Sequence, residues 1–372
     1  MSRLWWQLPG PQVFISRVVD DLREGQNILL CLPAHLPDGL HSAVRSTLDD
    51  EDWHWHTLDI GEAVAERPES LLFARFVPDA GADAIRNAHA LAKESSFAGK
   101  VIWLDGLDDN SWPAWKEFIV AYGHACQSVP VFERTQFCIP LRGKLALDPP
   151  GEDVCLAQHH WRGAVDSLDM FLFTASVFAG REMPALHRRI AVAIAAHLAL
   201  WDPSISERLA GERLKRILAP VPLLRDVARE RDWRVDDAGK WHLGTADMFD
   251  GEMRIHSALL ALDDSNSEIA RRIWSAEVGV LLPFVEERRR ELIAQLANAL
   301  QVPYETRFGE VIEDVRDLEI GHIERQINSL PSVDSNTRSF VRRLREIRNC
   351  LSHLEVLPPE LLLCDEIKQA ML

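Results

Sequence analysis

The chain has 372 residues, 47% hydrophobic and 26% charged, which is room for two or three domains with real cores and the composition of an ordinary soluble globular protein. Its formal net charge of -16 excludes nucleic-acid binding over the whole surface, because neutralising phosphates needs a basic footprint; any RNA contact has to be local. No stretch reaches the roughly 18 uninterrupted apolar residues that a membrane span requires, so a cytoplasmic protein without membrane contact is expected.

The six cysteines, Cys31, Cys126, Cys138, Cys155, Cys350 and Cys364, form no C-x-x-C pair and read as reduced core residues. Neither a metal nor a cofactor is expected. In chain order, Val13, Phe14, Val18, Val19 and Leu22 recur at helical spacing and Gly25 follows, which predicts a helix over 12–24. Residues 27–33 are a short apolar run bounded by turn signals, the pattern of a buried parallel strand. The stretch 34–40 stands where a phosphate-binding loop belongs, yet it lacks the glycine-rich run and the Lys-Ser or Lys-Thr that such a loop needs.

Further strands are expected over 53–60, 101–105 and 135–143, a helix over 82–95, and a loop over 147–153. The third strand ends in Asp105, as a Walker B strand does, where the acid of a working NTPase holds magnesium. An acid that caps a turn at a strand end looks the same, so Asp105 is given no catalytic role. Strands alternating with helices over 10–160 predict a doubly wound α/β domain with a parallel sheet. This order of parts resembles the P-loop NTPase fold of STAND or AAA type. Without a Walker A motif, the resemblance implies a degenerate, non-hydrolysing domain over 1–152, with no nucleotide-binding residue assigned.

Over 153–266 the pattern predicts a helix-rich connector. Apolar segments at 168–178 and 190–201 are followed by an amphipathic stretch at 209–232, interrupted by Pro220 and Pro222. Residues 233–243 suggest a hairpin with Asp-Asp-Ala-Gly at its tip, which would make the module winged-helix-like. His197 reads as a core histidine, and His159 and His160 lack partners at metal spacing.

From 267 a helical bundle is expected. Ile269, Ile273, Val280, Leu281, Phe284, Leu292 and Leu296 mark the buried face of a long helix that Pro283 kinks. The charge run over 286–291 suits a solvated face better than an RNA-contact patch. A second helix is expected over 306–330, with Phe308, Ile312, Val315, Ile323 and Ile327 inward, then a turn at 331–336. A short helix over 359–370 closes the chain.

Between them lies the most informative stretch, 339–358. Taken as a helix at about 100° per residue, it places Phe340, Leu344, Ile347, Leu351 and Leu354 on one apolar stripe. Arg342, Arg345, Arg348, Asn349, Ser352 and His353 occupy the remaining polar arc. Arg348-Asn349-Cys350-Leu351-Ser352-His353 has the form R-N-x-x-x-H. With the DLEIG of 317–321 and the LLPFVEERR of 281–289 before it, it resembles the HEPN family of all-helical domains. An Arg–His pair at this spacing arises readily by chance, and surface residues on a C-terminal bundle would show the same pattern.

The HEPN resemblance implies metal-independent RNA cleavage, in which a 2'-hydroxyl attacks the adjacent phosphate. Histidine titrates near neutrality and arginine is a permanently charged phosphate partner, so His353 and Arg348 match the catalytic roles. Asn349 would orient the site, Glu319 would be its acidic support, and Arg342 and Arg345 would contact RNA. Because family members build one cleft from two such domains, a homodimer or an HEPN-containing partner is implied. Two functions follow: a ribonuclease of prokaryotic antiphage or toxin-like defence with an NTPase-like regulatory domain, or an inactive scaffold in a larger defence complex.

Overall fold

A computed structural model describes residues 2–48, 53–61, 67–79, 81, 85–263 and 267–369. The fold is mixed α/β and divides into two compact units, Met1–Asp169 with Asp236–His256, and Met170–Val235 with Ser257–Leu372. The stretch expected as one connector over 153–266 is thus shared between them. Among the described residues no helix is long and apolar enough to cross a membrane.

The first unit is built on five parallel strands, β1 Asn27–Leu32, β2 His54–Asp59, β3 Lys100–Asp105, β4 Gln136–Arg142 and β5 Leu156–His160, in the order β2-β3-β4-β1-β5. β1 is buried along its whole length because it lies between β4 and β5 and is covered on both faces. On one face Leu29, Cys31, Ile102, Leu104, Phe137 and Ile139 pack with Trp115, Phe118 and Tyr122 of the helix Trp112–Cys126. Alternation turns Ile28 and Leu30 to the other face, toward the helix Pro9–Arg23. The buried Asn27 ties the sheet together, donating to the Cys155 carbonyl at 2.8 Å and accepting the Phe137 N–H at 3.0 Å.

β5 corrects the expectation that the chain turns helical from 154. Its Leu-Ala-Gln-His-His sequence carries one large apolar residue, because an edge strand paired only with β1 needs little more. The helix expected over 82–95 is confined to Ala88–Ala92 and a turn at Ser95–Phe97, with 82–84 outside the described residues.

The hairpin expected over 233–243 is absent; those residues form single turns at Val235–Asp237 and Trp241–Leu243. The hairpin lies further on, β6 Ala246–Phe249 with β7 Glu252–Ile255, closed by Asp250-Gly251 with φ of 51° and 78°. Asp-Gly is the pair that a two-residue turn with positive φ at both positions selects, whereas the Asp-Asp-Ala-Gly of 236–239 closes no hairpin. Asp247 of β6 accepts the N–H groups of Gly163 and Met248, and burial raises its carboxyl to about 6.

The second unit is helical. Ala185–Ala199 packs against Glu268–Gln295, where Ala191, Ala195 and Ala199 are fully buried. His197, expected in a core, is exposed and bonds the Ala193 carbonyl one turn back. Glu268–Gln295 is 28 residues long, about 42 Å, and continuous through Pro283, which sits on its exposed side.

Only the end of the helix expected over 306–330 forms, at Ile320–Asn328. Before it, β8 Tyr304–Glu305 and β9 Val311–Ile312 make a small hairpin around Gly309, whose φ of +81° a helix cannot contain. Phe308, expected inward, is 81% exposed with the Arg307 guanidinium 4.6 Å from its ring centre. The short closing helix forms as Pro359–Leu363 and Asp365–Gln369; Ala370 lies outside the described residues.

Candidate functional site

The R-N-x-x-x-H segment ends the helix Ser335–Ser352, which starts earlier and stops sooner than the periodicity suggests. Asp334 caps its start, accepting the Thr337 N–H at 2.9 Å. Val341, Leu344, Ile347 and Leu351 form the buried stripe; Phe340 is half-buried. Leu354 is out of the stripe, 71% exposed and at φ +61° just past the helix end. The Glu355 N–H reaches back to the Cys350 carbonyl at 3.0 Å and completes a left-handed helix stop.

The long helix Glu268–Gln295 holds this end in place. Trp274 Nε1 donates to the Leu351 carbonyl at 2.9 Å, and Glu277 Oε2 accepts the Leu357 N–H at 3.0 Å. Between these anchors His353 is exposed, and among the described residues its imidazole has no hydrogen-bond partner.

Arg348 stands on another side of the helix, five residues and about 140° from His353. Its Nη2 donates to Glu319 Oε2 at 2.9 Å, with the two side chains 37% and 60% exposed. The pair borders a cavity of about 290 Å³ lined also by Glu286, Arg289, Arg316, Asp317 and Ile320. Arg289 is tethered by Glu286 at 2.8 Å and by the carbonyls of Arg316 and Leu318 at 2.8 and 3.1 Å, while Arg316 pairs with Asp314. His322 accepts the Glu319 N–H on Nδ1 at 3.2 Å, and its ring lies 5.4 Å from that of Tyr304. The geometry therefore chains β8, His322, Glu319 and Arg348 into one contact path.

The structure thus brings Arg348 and Glu319 together but places His353, Asn349, Arg342 and Arg345 outside that cavity. Asn349 is half-buried, and its carbonyl accepts the His353 N–H at 3.0 Å. Arg342 pairs with Glu346 at 3.3 Å, and Arg345 pairs with Glu324. Arg289 and Glu286 belong to the run read as a solvated face. The periodicity over 306–330 predicts helix and gives Arg316 no signal, Asp317 enters only as the first residue of the DLEIG match, and His322 has no signal beyond its place three residues after Glu319. Among the described residues no group of three or more His, Cys, Asp or Glu is placed to hold a metal ion.

At the first unit's sheet, Asp105 is exposed at the end of β3 opposite Asp59, and its Oδ1 accepts the Gly106 N–H at 3.1 Å. A Cβ on Gly106 would come 2.6 Å from Asp59 Oδ1, so the backbone needs glycine there. The loop after β1 meets protein: the Ala34 N–H donates to the His242 carbonyl at 2.8 Å. The carboxyl ends of parallel strands are where open α/β sheets bind ligands. Here the segment 241–243 reaches that end. Compared with known proteins, the chain matches no family model and no curated protein.

Proposed function

We propose that the second unit carries a metal-independent, HEPN-type endoribonuclease site that two chains complete, acting in prokaryotic antiphage or toxin-like defence. The observation that carries this reading is the Arg348–Glu319 pair at a cavity bordered by Arg289 and Arg316, one helix turn and a half from an exposed His353. In the reaction the 2'-oxygen bonds to phosphorus and the P–O5' bond breaks. His353 takes the 2'-hydroxyl proton or supplies one to the leaving oxygen, and Arg348 balances charge on the phosphorane. Since the two side chains diverge on one helix, a facing copy supplies the partner group.

The five-stranded parallel sheet, covered by helices, supports an NTPase-like first unit, because it is the doubly wound architecture that the resemblance implies. The donation from Ala34 to His242 favours a regulatory role without hydrolysis. One observation favours the scaffold reading instead: Arg342, Arg345 and Arg348 are each paired with a carboxylate.

The test is cleavage of tRNA and single-stranded RNA in EDTA by the parent, Arg348→Ala and His353→Ala at matched oligomeric state. Cleavage that both variants lose is expected. Mixing the two inactive variants restores it, because subunit exchange leaves one intact Arg348–His353 combination across the dimer. No cleavage by the parent in any oligomeric state overturns the ribonuclease reading in favour of the scaffold.

A further inference from the structure

We infer that Glu319 is a displaceable gate on Arg348, and that the ligand which displaces it is a phosphodiester of single-stranded RNA. The inference rests on the reading above for its ligand class, and it reverses the supporting role the family resemblance gives Glu319.

Three guanidiniums, Arg289, Arg316 and Arg348, border a cavity of about 290 Å³, at the small end of ligand pockets. A guanidinium has five N–H donors. Arg348 spends one on Glu319, and Arg289 spends its Nε and Nη1 on Glu286 and two carbonyls, so both keep donors for an incoming anion. The charge opposing such an anion is equally local. Glu319 holds the face of Arg348 that a phosphate would take, and Asp317 lines the cavity without a side-chain hydrogen bond among the described residues.

Glu319 can yield. Its side chain is 60% exposed, so its pair with Arg348 is screened and cheap to open, whereas Arg289 is largely buried and stays fixed as the second cation. When Glu319 swings into solvent it leaves its side-chain place in the capping box of the helix Ile320–Asn328, but its backbone N–H stays bonded to His322 Nδ1, so half of the box remains at the helix start. A phosphate then forms charge-assisted bonds to Arg348 that the carboxylate formerly made.

The experiment measures binding of a 2'-O-methyl single-stranded RNA, which has no nucleophilic hydroxyl and cannot be cleaved, by fluorescence anisotropy at fixed salt. Glu319→Gln should bind about three- to fivefold more tightly than the parent. Among the described residues Asp317 forms no ion pair within hydrogen-bonding distance, though its charge acts on Arg316, so Asp317→Asn should tighten binding by a smaller factor and serves where Glu319→Gln does not fold. Arg348→Ala should weaken binding about tenfold. Glu313→Gln removes an exposed acid that does not line the cavity and should leave affinity unchanged. Equal tightening by Glu313→Gln, weaker or unchanged binding by Glu319→Gln, or unaltered binding by Arg348→Ala each overturns the gate. Gated binding without cleavage of ordinary RNA would remove the ribonuclease reading and leave the gate standing.

Discussion

Glu277 offers the sharpest test of the packing that holds the His353 segment. It is wholly buried in the long helix; one oxygen accepts the Leu357 N–H at 3.0 Å, and the other has no hydrogen-bond partner among the described residues. Burial raises its carboxyl from 4.5 to about 7. The folded protein therefore holds this proton more tightly than the unfolded chain. The stabilisation is complete below pH 4.5 and is lost as pH rises through about 7. At 1.36 kcal/mol per pKa unit the loss is about 3 kcal/mol in full, with about 2 kcal/mol of it between pH 5.5 and 8.5. Glu277→Gln keeps an acceptor for Leu357 and removes the titration. Urea unfolding of parent and variant at both pH values should show the variant gaining about 2 kcal/mol on the parent from the lower to the higher. A difference that does not change with pH refutes the argument.

Leu354→Gly is expected to raise stability by about 1 kcal/mol, read as a higher urea midpoint. It relieves a left-handed residue whose side chain is 71% exposed, and this outweighs the freedom glycine adds to the unfolded chain. A lower midpoint would show that Leu354 packs where the structure leaves it in solvent. Magnesium-ATP is expected to leave the thermal midpoint unchanged, because the N–H of Ala34 in the loop after β1 is already donated to His242. A saturating ligand would add about 2.7 kcal/mol at a hundredfold excess over its Kd, so a rise of about 2 °C or more refutes that expectation.

Local patterns set by backbone chemistry could be read without tertiary information. The runs around Ile28, Ile102 and Phe137 were legible as strands because buried parallel strands are apolar on both faces. The helix bearing Arg348 was legible from the spacing of Leu344, Ile347 and Leu351, as was the parallel α/β character of the first unit. β5 escaped because an edge strand buries little, and the hairpin at 304–312 escaped because isolated apolar residues matched a helical period that Gly309 interrupts.

The site itself was decided in three dimensions. Sequence named Arg348, His353 and Glu319, but a helical wheel measures angle about one axis and cannot say what the rest of the chain places beside it. Packing put Glu319 on Arg348, brought Arg289 and Arg316 to the same cavity, and turned His353 away from it. It also carried the segment 241–243 back to the first unit's sheet, and set Glu277 under the loop that follows His353. Propensity and periodicity act within a few residues, whereas an ion pair across 29 positions or a buried carboxylate 80 residues from its donor exists only once distant helices have met.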